Sequence, residues 1–219
     1  MAQALDKGSV VAVVGSGAMG TGIAQVAAAA GYTVVLFDAR PEAVKASITG
    51  ICNMYGKLAE KGKMTDEEVQ AASDRLSGAS TLAELKDAAI VIEAIVESLD
   101  VKRTLFADLE AIVHDDCILA TNTSSISVTA IAARLRLPQR LVGMHFFNPV
   151  PLMALVEVIS GLATSRAVAD TVYATAAAWG KNPVHARSTP GFIVNRVARP
   201  FYAEALRLLN EQAADAATL

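Results

Sequence analysis

The sequence predicts an α/β protein in which helices cover both faces of a mostly parallel sheet. Three observations support this fold class. Short β-branched segments alternate with helix-like segments along most of the chain, and repeated strand–helix–strand units of this length join parallel neighbours. A glycine-rich turn follows the first strand-like segment, as is typical of doubly wound sheets. Hydrophobic residues make up 53% of the 219 residues, enough to fill such a core.

The first half of the chain is expected to form four strands and three helices. Runs rich in valine and isoleucine predict strands. Pro41 stands where a helix should begin, since proline suits the first helical turn. Thr65 and Glu68 have the spacing of a capping box. The expected order is strand 10–14, helix 18–30, strand 33–37, helix 41–61, a helix from residue 65, weak strand 76–79 and strand 89–96.

The second half is expected to continue this alternation. The expected order is helix 99–114, strand 117–120, helix 128–135, strands 141–147 and 155–159, helix 165–180 and strand 183–186. The final strands, joined by short turns, are expected to run antiparallel at one edge.

The sequence pattern changes after Pro190. Residues 191–210 have the pattern of one long amphipathic helix. One helix cannot bury its apolar stripe alone. We therefore expect residues 1–188 to form a complete sheet domain. Residues 189–219 should be the first, incomplete part of an all-helical domain.

Composition and charge exclude several classes of partner. The net charge is −3 and no lysine or arginine cluster stands out, which argues against a nucleic-acid partner. The longest apolar runs fall short of the ~18 residues that span a bilayer, and the N-terminus lacks a signal-peptide pattern. Cys52 and Cys117 are not in a metal-like spacing. We expect a cytoplasmic protein with reduced thiols, no membrane partner and no metal site.

The glycine-rich turn has the spacing GxGxxG, with Gly15, Gly17 and Gly20 inside VVAVVGSGAMGTG. It follows a predicted strand and opens a predicted helix, and Asp38 lies eighteen residues past Gly20 at the end of the next strand. That context predicts a Rossmann-type dinucleotide site, with phosphates at the helix start. The alternative is a tight turn with a structural role only.

Asp38 also bears on which dinucleotide is bound. Its carboxylate can accept hydrogen bonds from both ribose hydroxyls of the adenosine, and its charge would repel a 2′-phosphate. This favours NAD over NADP. Arg40 leaves NADP open, because an arginine near this position can bind that phosphate.

The segment HFFNPVPLMALVE, residues 145–157, combines a histidine with a carboxylate in an apolar run. His145 and Glu157 are each six residues from Pro151, so a chain that doubles back there places them opposite each other. A carboxylate in such surroundings needs a partner. A histidine–carboxylate pair is a general base suited to neutral pH.

Other polar residues follow the predicted strand 117–120. They are expected at the carboxyl ends of the strands, where ligands bind in this fold class. Asn122 and Ser124 are expected to face the ligand, whereas Ser125 or Ser127 better fits a helix N-cap.

Two acids and a lysine lie in or just after the predicted strand 89–96. Glu93 is expected to be a satisfied structural group in mid-strand. Glu97 and Lys102 could face the ligand or form a surface charge pair. Asn195, at the start of the last helix, could serve the ligand or only an inter-helix contact.

The motifs together resemble the L-3-hydroxyacyl-CoA dehydrogenase family. The matching segments are VAVVGSGAMGTGIAQVAAAAGYTVVLFD, VIEAIVE, ATNTSS, GMHFFNPVPLMALVEVI and TPGFIVNR. The resemblance implies a dinucleotide-binding domain followed by a helical domain that forms a homodimer. It also implies NAD-dependent oxidation of the 3-hydroxyl of an acyl-CoA thioester, as in fatty acid β-oxidation. Only about one helix of the helical domain is present here, so full activity of this chain is not assured.

Carried over position by position, the resemblance makes His145 the general base and Glu157 its orienting carboxylate. Ser124 would contact the substrate oxygen and the nicotinamide, and Asn195 would complete the constellation. The positions implied at the cofactor are Gly15, Gly17, Ala18, Met19, Gly20, Asp38, Glu97, Lys102 and Asn122. Those implied at the substrate are Ser124, Asn148 and Lys61, the last at the CoA phosphates.

Three finer hypotheses remain open. The segment HARSTPGFIVNRVARPFYAEA resembles dehydrogenases of phenylacetate-type catabolism, whose substrate is 3-hydroxyadipyl-CoA. A related dehydrogenase of a small free hydroxyacid or sugar acid is an alternative, because it would share the glycine turn. A non-catalytic NAD-binding module is another, for this chain in particular.

Overall fold

The architecture is an eight-stranded sheet with helices on both faces, described for residues 3–219 in this computed structural model. The strands are β1 Val10–Val14, β2 Thr33–Phe37, β3 Leu76–Gly78, β4 Ala88–Glu93, β5 Ile118–Thr121, β6 Leu141–Phe146, β7 Leu155–Ser160 and β8 Asn182–Arg187. Their order across the sheet is β3-β2-β1-β4-β5-β6-β7-β8. The order reverses after β1, which confirms the doubly wound, mostly parallel fold.

Seven α-helices connect or follow the strands. They are α1 Ala18–Ala29, α2 Pro41–Glu60, α3 Asp66–Asp74, α4 Leu99–Glu110, α5 Val128–Ala132, α6 Arg166–Ala178 and α7 Val194–Asn210. Thr65 and Glu68 cap α3 reciprocally, as the capping box predicts. Ser127 caps α5 through its hydroxyl, which confirms that alternative over Ser125.

The antiparallel edge is confirmed in part and corrected in part. β7 runs antiparallel to β6, but β8 runs parallel to β7. The prediction of short turns between the last strands is wrong for β7 and β8, which α6 connects. Two adjacent parallel strands need such a crossover, because the chain must return to the starting end of the sheet.

Several predicted elements extend too far. β4 ends at Glu93, since the carboxylate of Glu93 accepts the N–H of Ile95 at 2.8 Å and the chain turns away from the sheet. α7 begins three residues later than expected, because Gly191 and Phe192 have φ angles of 74° and 48° and are not helical. The helices expected to reach residues 114 and 135 end at Glu110 and Ala132.

The sheet is buried on both faces. One core cluster packs α1, α2 and α6 against it around Tyr32 and Ile23, and a second packs α4 and α5 around Phe106 and Leu109. Both cysteines are free; Cys117 lies in the second cluster, where burial raises the pKa of its thiol to about 12.

α7 differs from the other helices. None of its residues is buried against the rest of residues 3–219. Its apolar side chains are instead largely exposed: Val197, Phe201, Tyr202 and Leu206. Among the helices described, none has the combination of length and apolar character that a bilayer crossing requires.

Candidate active site

A cavity of about 430 Å³ lies at the carboxyl ends of the central strands, where doubly wound sheets bind ligands. It gathers eight residues that the sequence singled out: Met19, Glu97, Lys102, Asn122, Ser124, His145, Asn148 and Asn195. Phe147 and Arg199, which the sequence reasoning missed, also line it. Ala18 starts α1 beside Met19. Lys61 is exposed at the end of α2 and lines neither this cavity nor the one beside the glycine turn.

His145 and Glu157 form the buried pair at one wall of this cavity. They sit opposite each other in the antiparallel β6–β7 register. The histidine Nδ1 lies 2.7 Å from Glu157 Oε2, and Glu157 is fully buried. A carboxylate can only accept, so Nδ1 carries the proton and Nε2 is left as an acceptor. An imidazole oriented in this way, with a free acceptor nitrogen, has the geometry that general-base chemistry requires.

The second oxygen of Glu157 has partners that the sequence gave no sign of. Oε1 accepts the backbone N–H groups of Ile193 and Val194, each at 2.9 Å. These are among the unpaired donors at the start of α7, where a negative charge is favoured. One buried carboxylate therefore fixes both His145 and the first turn of α7.

Two phenylalanines surround the imidazole. The ring of Phe147 lies 4.5 Å from that of His145, and Phe192 meets it edge-on at 5.9 Å, centroid to centroid. Phe192 is 3% exposed despite its left-handed backbone. With these rings beside it, His145 is only 5% exposed to solvent.

Ser124 is held from two sides. Glu97 Oε1 accepts its backbone N–H at 3.0 Å, and also the hydroxyl of Thr123 at 2.5 Å. Asn195 donates its side-chain amide to the Ser124 carbonyl at 3.1 Å. Asn195 therefore makes the inter-element contact that the sequence allowed, and it does so at the cavity wall.

Asn122 combines cavity lining with a structural bond. Its Oδ1 accepts the backbone N–H of Phe146 at 2.8 Å, which ties β5 to the end of β6. Asn148, two residues beyond Phe146, lines the same cavity.

Lys102 forms a buried ionic network beneath the Ser124 loop. Its ammonium lies 2.5 Å from Glu93 and 3.3 Å from Glu97, and the residue is 1% exposed. A surface charge pair is therefore the wrong interpretation for Lys102. Glu93 also accepts the Thr121 hydroxyl at 2.7 Å, which confirms it as a satisfied structural group, although it ends the strand instead of lying in mid-strand.

The pKa of Glu97 reflects competing effects. Partial burial disfavours its charged form, but the Thr123 hydroxyl and the Lys102 charge outweigh burial and hold the pKa of Glu97 below its usual value. Glu97 is therefore ionised at neutral pH, with an oxygen available to organise Ser124.

A second cavity, of about 920 Å³, adjoins the glycine turn and includes Asp38. Gly15 has a φ of 103°, and a Cβ there would lie 2.5 Å from the Ala94 carbonyl oxygen. A Cβ on Gly20 would lie 1.8 Å from the Gly15 carbonyl oxygen. Apart from Gly17 and its two chain neighbours, no atom of residues 3–219 comes within 4 Å of a Cβ built on Gly17. The turn therefore leaves open space in front of Gly17, as a bound pyrophosphate requires.

Asp38 lies at the end of this cavity and is oriented by the backbone. Its two carboxylate oxygens accept the N–H groups of Ser16 at 2.8 Å and of Arg40 at 3.0 Å. Burial opposes ionisation, but these bonds and the nearby Arg40 charge hold the pKa of Asp38 below its usual value. The Arg40 side chain is 71% exposed and lies 3.6 Å from the carboxylate. The residues present fit a dinucleotide with a free ribose diol.

Most of the chain is similar to known proteins. Residues 10–189 match the family model described as 3-hydroxyacyl-CoA dehydrogenase, NAD binding domain. The chain is 50% identical over 204 residues to a 3-hydroxyadipyl-CoA dehydrogenase of Escherichia coli, covering 93% of this chain and 43% of that protein. It is 47% identical to a probable 3-hydroxybutyryl-CoA dehydrogenase of Bacillus subtilis, covering 92% and 70%.

Solved structures give the same result. The crystal structure of 3-hydroxybutyryl-CoA dehydrogenase from Escherichia coli matches with a TM-score of 0.92 at 50% identity, over 94% of this chain and 44% of that one. That of (S)-3-hydroxybutyryl-CoA dehydrogenase from Ralstonia eutropha matches with a TM-score of 0.93 at 40% identity, over 95% and 74%. The chain thus spans less than half the length of its Escherichia coli relative.

Proposed function

This chain belongs to the 3-hydroxyacyl-CoA dehydrogenase family, and we therefore propose that it oxidises an L-3-hydroxyacyl-CoA to the 3-oxoacyl-CoA. Its matched domain is an NAD-binding domain, and NAD is its cofactor. The observation that carries the proposal is the buried His145–Glu157 pair, 2.7 Å apart, in a cavity shared with Ser124 and next to the glycine turn.

Bound NAD⁺ would accept a hydride from C3 of the substrate. His145 would take the proton of the 3-hydroxyl on Nε2. Glu157 would keep the other ring proton on Nδ1 and stabilise the imidazolium that forms. Ser124 and Asn195 would position the substrate oxygen, the former with its hydroxyl and the latter with its remaining amide N–H.

The same proposal assigns the cofactor contacts. The turn from Gly15 to Gly20 would hold the pyrophosphate, and Asp38 the adenosine ribose. The nicotinamide end of the cofactor would lie near Glu97, Lys102 and Asn122. Their main role there would be to hold the walls of the cavity in place. Lys61 would meet the CoA phosphates from the end of α2, outside the cavity itself.

The substrate, location and assembly are also proposals. The names of the relatives support two acyl chains, 3-hydroxyadipyl and 3-hydroxybutyryl. We propose a cytoplasmic role in phenylacetate-type catabolism or fatty acid oxidation. The exposed apolar stripe of α7 supports a homodimer formed through residues 189–219. We propose residues 1–188 as the NAD-binding domain and residues 189–219 as the start of a helical one.

One observation favours a second candidate, a dehydrogenase of a small free hydroxyacid. Arg199 lines the cavity with His145, and an arginine there can bind a substrate carboxylate.

The test is NADH formation at 340 nm with 3-hydroxybutyryl-CoA, 3-hydroxyadipyl-CoA and free 3-hydroxybutyrate. We expect turnover of the thioesters. His145→Ala should lower kcat by about 10²–10⁴-fold while NADH binding, followed by fluorescence, stays intact. His185→Ala is the matched control, because that histidine lies on β8 and pairs with Asp170.

Turnover of the free acid alone would establish the second candidate. NADH binding without turnover of any substrate would identify a non-catalytic NAD-binding module.

A further inference from the structure

Arg199, in the second turn of α7, lines the cavity that contains His145, Ser124 and Asn195. Within residues 3–219 its guanidinium takes part in none of the ion pairs and side-chain hydrogen bonds that the structure forms. It also borders the adjacent groove along α7, of about 530 Å³. Arg199 therefore presents an unneutralised positive charge at the mouth of the cavity.

The other cation in the cavity wall is already neutralised. Lys102 is buried between Glu93 and Glu97. Further along α7, Arg207 is paired with Glu204. Of the lysine and arginine residues that line this cavity in residues 3–219, Arg199 is therefore the one whose charge no carboxylate neutralises.

We propose that Arg199 determines substrate specificity: it binds the distal carboxylate of a 3-hydroxyacyl-CoA whose acyl chain derives from a dicarboxylic acid. This inference rests on the proposed function, since it assumes that the reacting C3 lies at His145. A guanidinium binds a carboxylate through two parallel N–H donors, which fixes the position of the chain end as well as its charge. The residue would then separate dicarboxylic from monocarboxylic acyl chains.

The phosphates of CoA are another possible source of negative charge. They are separated from the thioester by the whole pantetheine arm, whereas the distal carboxylate of a six-carbon chain lies only a few bonds beyond C3. Arg199 shares a cavity of about 430 Å³ with His145. The short span therefore favours the acyl carboxylate over the phosphates.

The test compares binding of adipyl-CoA and hexanoyl-CoA by calorimetry in the presence of NAD⁺. These ligands have the same length and lack the reactive hydroxyl, so they differ only in the distal carboxylate. The unmodified chain should bind adipyl-CoA about 10- to 100-fold more tightly, the range of a charge-assisted hydrogen bond. Arg199→Leu should remove that preference, and Arg199→Lys should retain part of it.

Arg207→Leu is the matched control, about two turns further along the same helix, and it should keep the full preference. Equal binding of the two ligands by the unmodified chain would overturn the inference. So would an equal loss for both ligands in Arg199→Leu, which would place the residue at the CoA moiety. Failure of the proposed function would appear separately, as absent NADH formation despite normal binding of the two ligands.

Discussion

Glu157 accepts the backbone N–H of Ile193 at 2.9 Å while its other oxygen holds His145. Both oxygens of this fully buried carboxylate are therefore in use. The orientation of the imidazole and the start of α7 depend on the same side chain.

Glu157→Gln should impair activity and stability together. The amide offers one acceptor where the carboxylate offers two, so either the imidazole tautomer or the cap of α7 is lost. We expect kcat to fall by about 10²–10⁴-fold, and the free energy of unfolding by about 1–3 kcal/mol. Kinetics and urea unfolding measure the two effects. Glu60→Gln, exposed at the end of α2, should change neither, and normal turnover in Glu157→Gln would refute the role assigned to the carboxylate.

Lys102→Met should destabilise the fold. It leaves Glu93 and Glu97 without their shared cation, and Glu93 is fully buried. Breaking a buried pair costs about 3–5 kcal/mol of unfolding free energy. Adding Glu93→Gln should recover part of that loss, since the buried charge is removed. Additive effects in this double-mutant cycle would contradict the network.

Glu97 should contribute to acid sensitivity. Its pKa is lower in the folded chain than in the unfolded one, so the stabilisation it provides is present above the unfolded value and is lost as pH falls through the folded value. Glu97→Gln should therefore be less stable than the unmodified chain near neutral pH, with the gap narrowing as the medium is acidified through and below about pH 4.5. Urea unfolding between pH 7 and pH 3 tests this, and a gap independent of pH would exclude it.

Asp38→Ala should shift cofactor preference towards NADP. The substitution removes a charge that repels a 2′-phosphate and frees Arg40, now 3.6 Å from the carboxylate. We expect the ratio of NADP to NAD affinity to rise about tenfold or more, measured by fluorescence titration. Asp38→Ala/Arg40→Ala should lose most of the gain. A ratio that stays constant in Asp38→Ala would show that residue 38 does not face the ribose.

The sequence predicts the fold well because each signal is local and consistent. Thr65 and Glu68 define a helix start from four residues, and the β-branched runs define the strands. The direction of β8 required tertiary information, because residues 165–180 could be recognised as a helix without showing that they cross over between parallel strands.

The site was predictable where spacing carries geometry, as between His145 and Glu157. Contacts made by backbone groups, or by a side chain that only the fold brings to the cavity, could not be predicted from the sequence. The bonds from Ile193 and Val194 to Glu157 have no side-chain signature, and the left-handed Phe192 is unexpected for a bulky residue. Arg199 has no sequence pattern that sets it apart from other arginines, and only the fold brings it to the cavity.

Two glycines of the glycine turn are constrained for different reasons, Gly20 by the fold and Gly17 by the ligand. A side chain at Gly20 would collide with the Gly15 carbonyl oxygen, at 1.8 Å, whether or not a ligand is present. A Cβ at Gly17 would meet no atom of residues 3–219 within 4 Å beyond its two chain neighbours. A descendant of this chain that had lost its cofactor would accept residues other than glycine at position 17 and still fold, whereas position 20 would remain glycine.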